Sequence, residues 1–209
     1  ICTIQYNIYI CIIIQKNMAG RPKIYDEEIV LDKAIEVFWK KGYEVASADE
    51  LLKAMGIGKG SFYLAYKKGK QELFEKSLQR FFYKHFNEFL NGLKSIDNPV
   101  ASIKAFYYQM SDENSTLRTS GCYFSNAMVQ AEKEEVKQQA GVIMVKISNH
   151  FAEALMKAKQ KGIIDLRMPN DILPLYLLNL WSGLNITRQV EKNPKKIKKL
   201  IDEQFKLIL

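Results

Sequence analysis

The sequence predicts an all-α protein: an N-terminal three-helix helix-turn-helix unit and a larger C-terminal helical domain. Three observations predict it. Residues 47–70, SADELLKAMGIGKGSFYLAYKKGK, read as two short helices around a Gly-Ile-Gly turn; such a pair forms the unit whose second helix can lie in the DNA major groove. Apolar residues recur at the helical period before and after that unit. Start and stop residues bracket the periodic stretches: Asp26, Ser47 and Asn193 as caps, Gly42 and Gly162 as ends.

Of the 209 residues, 47% are apolar, enough for one large core or two small ones, and 31 basic against 23 acidic side chains leave a net charge of +8. A basic balance fits nucleic acid or an anionic surface without choosing between them. Two of the three cysteines, Cys2 and Cys11, lie in an atypical leader, which leaves Cys122 as the body's one thiol. One thiol makes neither a disulfide nor a metal cluster, consistent with a reducing, cytoplasmic location.

Residues 1–17, ICTIQYNIYICIIIQKN, differ from the rest. The run Ile8–Ile14 is shorter than the roughly 20 residues a bilayer requires, and it lacks a basic flank before it and a small-residue cleavage site after it. The expectation is a non-native or disordered leader, with Met18 as the natural start and no membrane partner. Gly20-Arg21-Pro22-Lys23 then forms a basic arm. Arg21 on such an arm can enter an AT-rich minor groove, the alternative being an ordinary charged terminus.

Asp26 caps the first helix, with Glu27 and Glu28 in its first turn, apolar Ile29, Val30, Ala34, Val37 and Phe38, and a stop at Gly42. Ser47 caps the second helix and forms a capping box with Glu50. Leu51, Leu52 and Met55 supply its inner face, Gly56 permits the left-handed turn, and Ile57 plugs the core. The third helix runs from Lys59 to about Tyr66. Phe62 and one face of Tyr66 point inward; Lys59, Gly60, Ser61, Tyr63, Leu64 and Ala65 point outward. Lys59 suits phosphate, Ser61 and Tyr63 can donate to phosphates or base edges, and Gly60 permits close approach. Residues 56–70 carry four lysines and no acid. The alternative is a short solvated amphipathic helix.

The run AIEVFWKKGYEVASADELLKAMGIGKGSFYLAYKKGKQELF (34–74) is similar to the N-terminal domain of TetR/AcrR-family transcriptional regulators. Phe38, Gly42, Tyr43, Ser47, Gly56, Ile57, Lys59, Gly60, Ser61, Phe62, Tyr63 and Lys70 fall in register with the family pattern, over about residues 20–75. The resemblance implies that Ser47, Tyr63 and Lys70 hold phosphates of a double-stranded DNA operator, while Lys59, Gly60 and Ser61 face the groove. It departs at Gly58, where the family usually has Ser, at Leu64–Ala65, which lack the usual polar group, and at Tyr66, where Phe is usual. Base readout would then lean on thymine-methyl contacts at Leu64, on Lys59 and on the arm with Arg21.

Residues 18–69 are accordingly expected to be the DNA-binding domain and 70–209 a ligand-binding and dimerisation domain. A long helix runs from Lys70 to about Leu93, another from Asp97-Asn98-Pro99 to about Met110, and 111–121 reads as a loop. Cys122, in Gly121-Cys122-Tyr123-Phe124, reads as a buried structural thiol or, less simply, as a redox switch. Further helices span 134–161, 172–188 with Asp171 as N-cap, and 194 to the C-terminus. The resemblance implies a homodimer through the last two helices, with Leu175, Leu178, Leu184, Leu200 and Phe205 as its apolar residues. Lys195, Lys196, Lys198 and Lys199 read as a solvated face. A small hydrophobic effector would be lined by Phe86, Phe106, Met110, Phe124, Met128 and Trp181, residue types that core and pocket share. No catalytic constellation, phosphate loop, metal-ligand spacing or cofactor motif is present in the sequence. The competing readings are a helical ligand-binding or partner-binding protein with a vestigial helix-turn-helix.

Overall fold

The computed structural model describes residues 25–209, and all regular structure among them is helical. The expectations for the leader, for Met18 and for the arm with Arg21 fall outside the described residues. The elements are α1 (Glu27–Lys41), α2 (Ala48–Met55), α3 (Lys59–Ala65), α4 (Lys70–Phe82), a π-helical turn (Tyr83–Asn87), α5 (Glu88–Leu93), α6 (Val100–Tyr108), α7 (Thr116–Ser120), α8 (Tyr123–Gln130), α9 (Glu134–Gln160), α10 (Leu173–Val190) and α11 (Pro194–Ile208).

α1 starts because the Asp26 carboxylate accepts from the amides of Glu28 and Ile29, at 2.8 and 3.3 Å. Its buried stripe is Val30, Leu31, Ala34, Ile35 and Phe38, whereas Ile29 lies outside it, on the exposed side. α2 is capped by Ser47, whose Oγ accepts from Glu50 N at 3.2 Å. The expected reciprocal half of the capping box is replaced: Glu50 pairs with Lys41 across the corner, tying α2 to α1. Gly56 adopts φ 66°, a conformation that a Cβ disfavours, and Ile57 is buried immediately after it. α3 has no side-chain cap at Gly58. Its inward residues are Phe62 and, just past its end, Tyr66, both essentially inaccessible.

Tyr66 carries a cost. Its hydroxyl is buried with no hydrogen-bond partner, and burial pushes its pKa well up. An unsatisfied buried hydroxyl costs about 1–3 kcal/mol. Tyr66→Phe is therefore expected to raise stability by about 1 kcal/mol, read as a higher urea midpoint at unchanged slope; a lower midpoint would refute this.

α4, the π turn and α5 form one continuous helix over 70–93, as its aromatic periodicity predicts, but with a wide turn in the middle. Arg80 and Lys84 on this helix bracket Asp32 of α1, at 3.1 and 2.8 Å, and Arg80 also reaches Glu28 at 2.8 Å. Burial alone would raise the Asp32 carboxyl, but the bonds from Arg80 and Lys84 outweigh it and hold its pKa low. In the body, α9 packs between α8 and α10, and α6 lies against α11. The segment 111–121 is not wholly a loop: Ser115 accepts from Leu117 N at 3.2 Å and starts α7. α10 begins at Leu173 after a turn at Pro169–Ile172, so Asp171 is not its N-cap. Asn193 caps α11, accepting from Lys195 N at 3.0 Å, and the four lysines of its first turns are exposed. No described helix is long and apolar enough to cross a membrane.

The head formed by α1–α3 is docked onto the body through α8. Trp39 Nε1 donates to Gly121 O at 2.9 Å, Glu132 N donates to the Glu44 carboxylate at 2.9 Å, and Ser77 Oγ meets the Tyr123 hydroxyl at 2.7 Å. Tyr123 packs on Phe74 and Phe81 with ring centroids 5.8 and 5.1 Å apart.

Candidate nucleic-acid interface and ligand cleft

The seven-residue α3 turns one face inward with Phe62 and leaves the other bare. Lys59, Gly60 and Ser61 are exposed, and Tyr63 and Leu64 are 50% and 80% exposed. No heavy atom lies within 4 Å of where a Cβ would stand on Gly58 or Gly60, so another backbone can approach there. Ser47 is exposed at the start of α2, and Lys67 and Lys68 follow α3 in solvent. Of the outward set expected from the sequence, Ala65 is instead half-buried against the core, and the others are exposed, without a carboxylate between residues 56 and 70.

Lys70 differs from that expectation. Its ammonium donates to the backbone carbonyls of Tyr43, Glu44 and Ala46, at 2.9, 3.3 and 3.2 Å, and stands 4.6 Å from the centre of the Tyr43 ring. It staples the α1–α2 corner, just before Ser47, to the start of α4. The sequence spacing could not show this, because the carbonyls lie 24–27 residues upstream.

The residues expected to line an effector pocket only partly converge. Phe86, Phe106, Phe124 and Trp181 surround one void, with Phe106 stacked on Trp181 at 4.6 Å and Phe86 5.7 Å from Phe124. The void holds about 20 Å³, room for a water and no more. Met110 and Met128 do not line it: Met110 is sealed in the core, and Met128 is part-exposed against Gly141. Cys122 touches the void and is buried, which matches the structural-thiol reading.

The open volume lies on the other side of Phe86 and Phe106. A cleft of about 590 Å³ runs between Trp39 of α1, the π turn, α6 and the start of α7. Phe81, Phe89 and Leu117 extend its apolar walls, and His85, Ser102, Gln109, Ser115 and Thr116 place polar groups in it. The π turn sets His85 and Phe86 side by side on this wall, and such turns recur at functional sites. Partial burial and the neighbouring Lys84 lower the His85 pKa, so near pH 7 the ring is neutral and can both donate and accept. Sequence reading missed the cleft because its walls come from four separate segments. The one available signal was the aromatic density of 81–89.

Leu184 and Phe205, expected at a dimer interface, are buried within the protomer, pointing at their own core. The outward apolar residues are Leu175, Ile186 and Val190 on α10 and Leu207 on α11, at 61%, 65%, 83% and 65% exposure, while Leu178 and Leu200 are half-buried against the core. Among the described residues, no group of three or more His, Cys, Asp or Glu is placed to hold a metal ion.

Comparison with known proteins bears on these surfaces. The profile described as "Bacterial regulatory proteins, tetR family" matches residues 30–76, which are α1–α3 and the first turns of α4. The chain is 30% identical over 115 residues to the HTH-type transcriptional repressor ComR of Escherichia coli (strain K12), covering 53% of each protein. It is 22% identical over 182 residues to the HTH-type transcriptional repressor DhaR of Mycobacterium sp. (strain GP1), covering 86% of this chain and 90% of DhaR. The alignment therefore spans about half the length of ComR and most of DhaR. Among solved structures, a cysteine mutant of the TetR family transcriptional regulator CifR, complexed with 26bp double-strand operator DNA, shares the fold with TM-score 0.76 at 19% identity, over 91% of this chain and 100% of that one. FadR from Bacillus subtilis, in complex with stearoyl-CoA, shares it with TM-score 0.62 at 15% identity, over 87% of this chain and 97% of that one.

Proposed function

We propose that this chain, whose residues 30–76 match the profile of bacterial regulatory proteins of the tetR family, is a DNA-binding transcriptional repressor of that family, acting as a homodimer that a small molecule releases from its operator. The observation that carries this is the bare face of α3, where Lys59, Gly60, Ser61, Tyr63 and Leu64 lie together in solvent on a helix-turn-helix whose inner face is fully packed. Ser47 and Tyr63 are the phosphate-holding pair, Lys59, Gly60 and Ser61 enter the groove, and Leu64 meets thymine methyls. Lys70 acts through the corner that it fixes. Two copies would read half-sites about one helical turn apart, and the proposed place of action is the cytoplasm. The relatives that it matches are named as transcription regulators, and the reading assigns it no enzymatic role.

The effector reading moves from the small aromatic void to the larger cleft on its other side. The cleft has the size of a small-molecule site, apolar walls with a few convergent polar groups, and one wall that belongs to the DNA-reading head. A compound with an aromatic or aliphatic body and one hydrogen-bonding group would press on Trp39 and Leu117. Trp39 is bonded to Gly121, so a ligand that favours a different head position shifts the population of operator-competent dimers.

The test is a mobility-shift titration of the full chain on the intergenic DNA beside its own gene, repeated over a salt series. A saturable, sequence-dependent complex supports the proposal; affinity that depends on salt alone and not on sequence refutes it. In the same assay, Tyr63→Ala is expected to weaken binding about tenfold to all sequences alike, the worth of one phosphate hydrogen bond. Loss of discrimination at unchanged overall affinity would show that Tyr63 reads bases.

A further inference from the structure

Arg118 and Arg188 line one opening at the join between α7, α8 and the end of α10. Arg188 is only 6% exposed. Its Nη1 donates to Arg118 O, its Nη2 lies against Gly121, and its Nε is buried with no partner. Arg118 Nη2 donates to Lys192 O, and its Nη1 is likewise buried without a partner. Neither arginine forms an ion pair with a carboxylate among the described residues. Burial and the positive charge of Arg118 act together to lower the Arg188 pKa, the opposite of what a counter-ion would do.

Such an arrangement is costly. A buried cation is ordinarily paired, and each unmade charged hydrogen bond forfeits its desolvation cost. Here two adjacent cations repel, and two of their N–H donors have no acceptor. Both line an opening of about 740 Å³, together with Lys192 and the polar side chains of Ser120, Asn126 and Gln189. The one acid on its rim is exposed Glu113, so three cations face one carboxylate.

We propose that this opening is a binding site for a compact oxyanion, the carboxylate or phosphate group of a small molecule, gripped by Arg118 and Arg188 with Lys192 at its mouth. The forked guanidinium matches the planar or tetrahedral oxygens of such groups and takes them in pairs. An anion held between the two side chains would offset the repulsion between them and supply the counter-charge that both lack. The site shares no lining residue with the effector cleft. It does share Thr119, Ser120, Asn126 and Gln130 with the groove under residues 39–45 of the head. Occupancy would therefore stiffen the seam across which Trp39 holds Gly121.

The experiment is calorimetric titration of the full chain with inorganic phosphate and, separately, with acetate, each against chloride at equal ionic strength. It needs no DNA, so its outcome is independent of the operator reading. The expected result is saturable binding of at least one of the two, the tighter naming the class of oxyanion. Arg118→Gln and Arg188→Gln are each expected to weaken that binding at least tenfold, and Lys199→Gln, on the far solvated face, to leave it unchanged. Arg118 is part-exposed, so its variant decides the matter if the Arg188 variant fails to fold. Absence of binding by both anions above the chloride control, or undiminished binding by the Arg118 variant, would overturn the proposal.

Discussion

If the protein is the proposed homodimer, Ile186→Glu is expected to turn it into a monomer and to lower affinity for a two-half-site operator by about 10²–10⁴-fold, the advantage of engaging both half-sites through one linked molecule. Leu175, Ile186 and Val190 stand out of α10 on one side, and Leu207 is exposed on α11. Between Leu175 and Ile186 lies Gly183, with no atom within 4 Å of where a Cβ would stand, so a second helix can approach closely. An interface between identical copies is self-complementary, and each substitution appears in it twice. Two carboxylates buried there without partners cost several kcal/mol. Sedimentation velocity gives the mass and competition binding gives the affinity. Lys199→Glu, on the solvated side of α11, should alter neither. A dimer that survives Ile186→Glu would place the subunit contact elsewhere.

The difference between that face and the residues expected from the sequence shows where sequence reading stops. The apolar positions of α10 and α11 are correctly seen as two helices, but 172–188 is apolar on nearly all sides, so composition cannot tell the inner stripe from the outer one. Leu184 and Phe205 go inward, while Ile186 and Leu207 go outward. Phase carries more information: Leu177, Leu180, Trp181, Leu184, Asn185 and Arg188 follow one buried stripe. A polar residue in the phase of an apolar stripe is a signal that a sequence can carry by itself, and Arg188 is one. The boundaries of α1, α2 and α11 are legible because Asp26, Ser47 and Asn193 cap them by local hydrogen bonds. The π turn at Tyr83–Asn87 is not, since its residues suit an ordinary helix and nothing in their order marks a wider turn. The candidate reading face was legible because it is a property of seven consecutive residues. The cleft and the arginine pair were not, because their parts are brought together from segments far apart in the sequence, 70 residues for the arginine pair.

Lys70→Met is expected to lower the stability of the head by about 1.5–3 kcal/mol, the worth of hydrogen bonds from a charged group, and with it operator binding. Methionine keeps most of the volume against the Tyr43 ring but leaves the carbonyls of Tyr43, Glu44 and Ala46 without their donor. That corner ends at Ser47, so the amide and hydroxyl offered to a phosphate there would lose their fixed position. A lysine that instead touched phosphate directly would make a different signature. Each phosphate neutralised adds about 0.9 to the slope of log affinity against log salt, and the variant would lose that slope at unchanged unfolding midpoint. The staple predicts the reverse pairing: a lower urea midpoint, weaker binding and an unaltered salt slope. Urea unfolding and a salt titration on the same preparation separate the two. A shallower slope with full stability would return Lys70 to the DNA backbone.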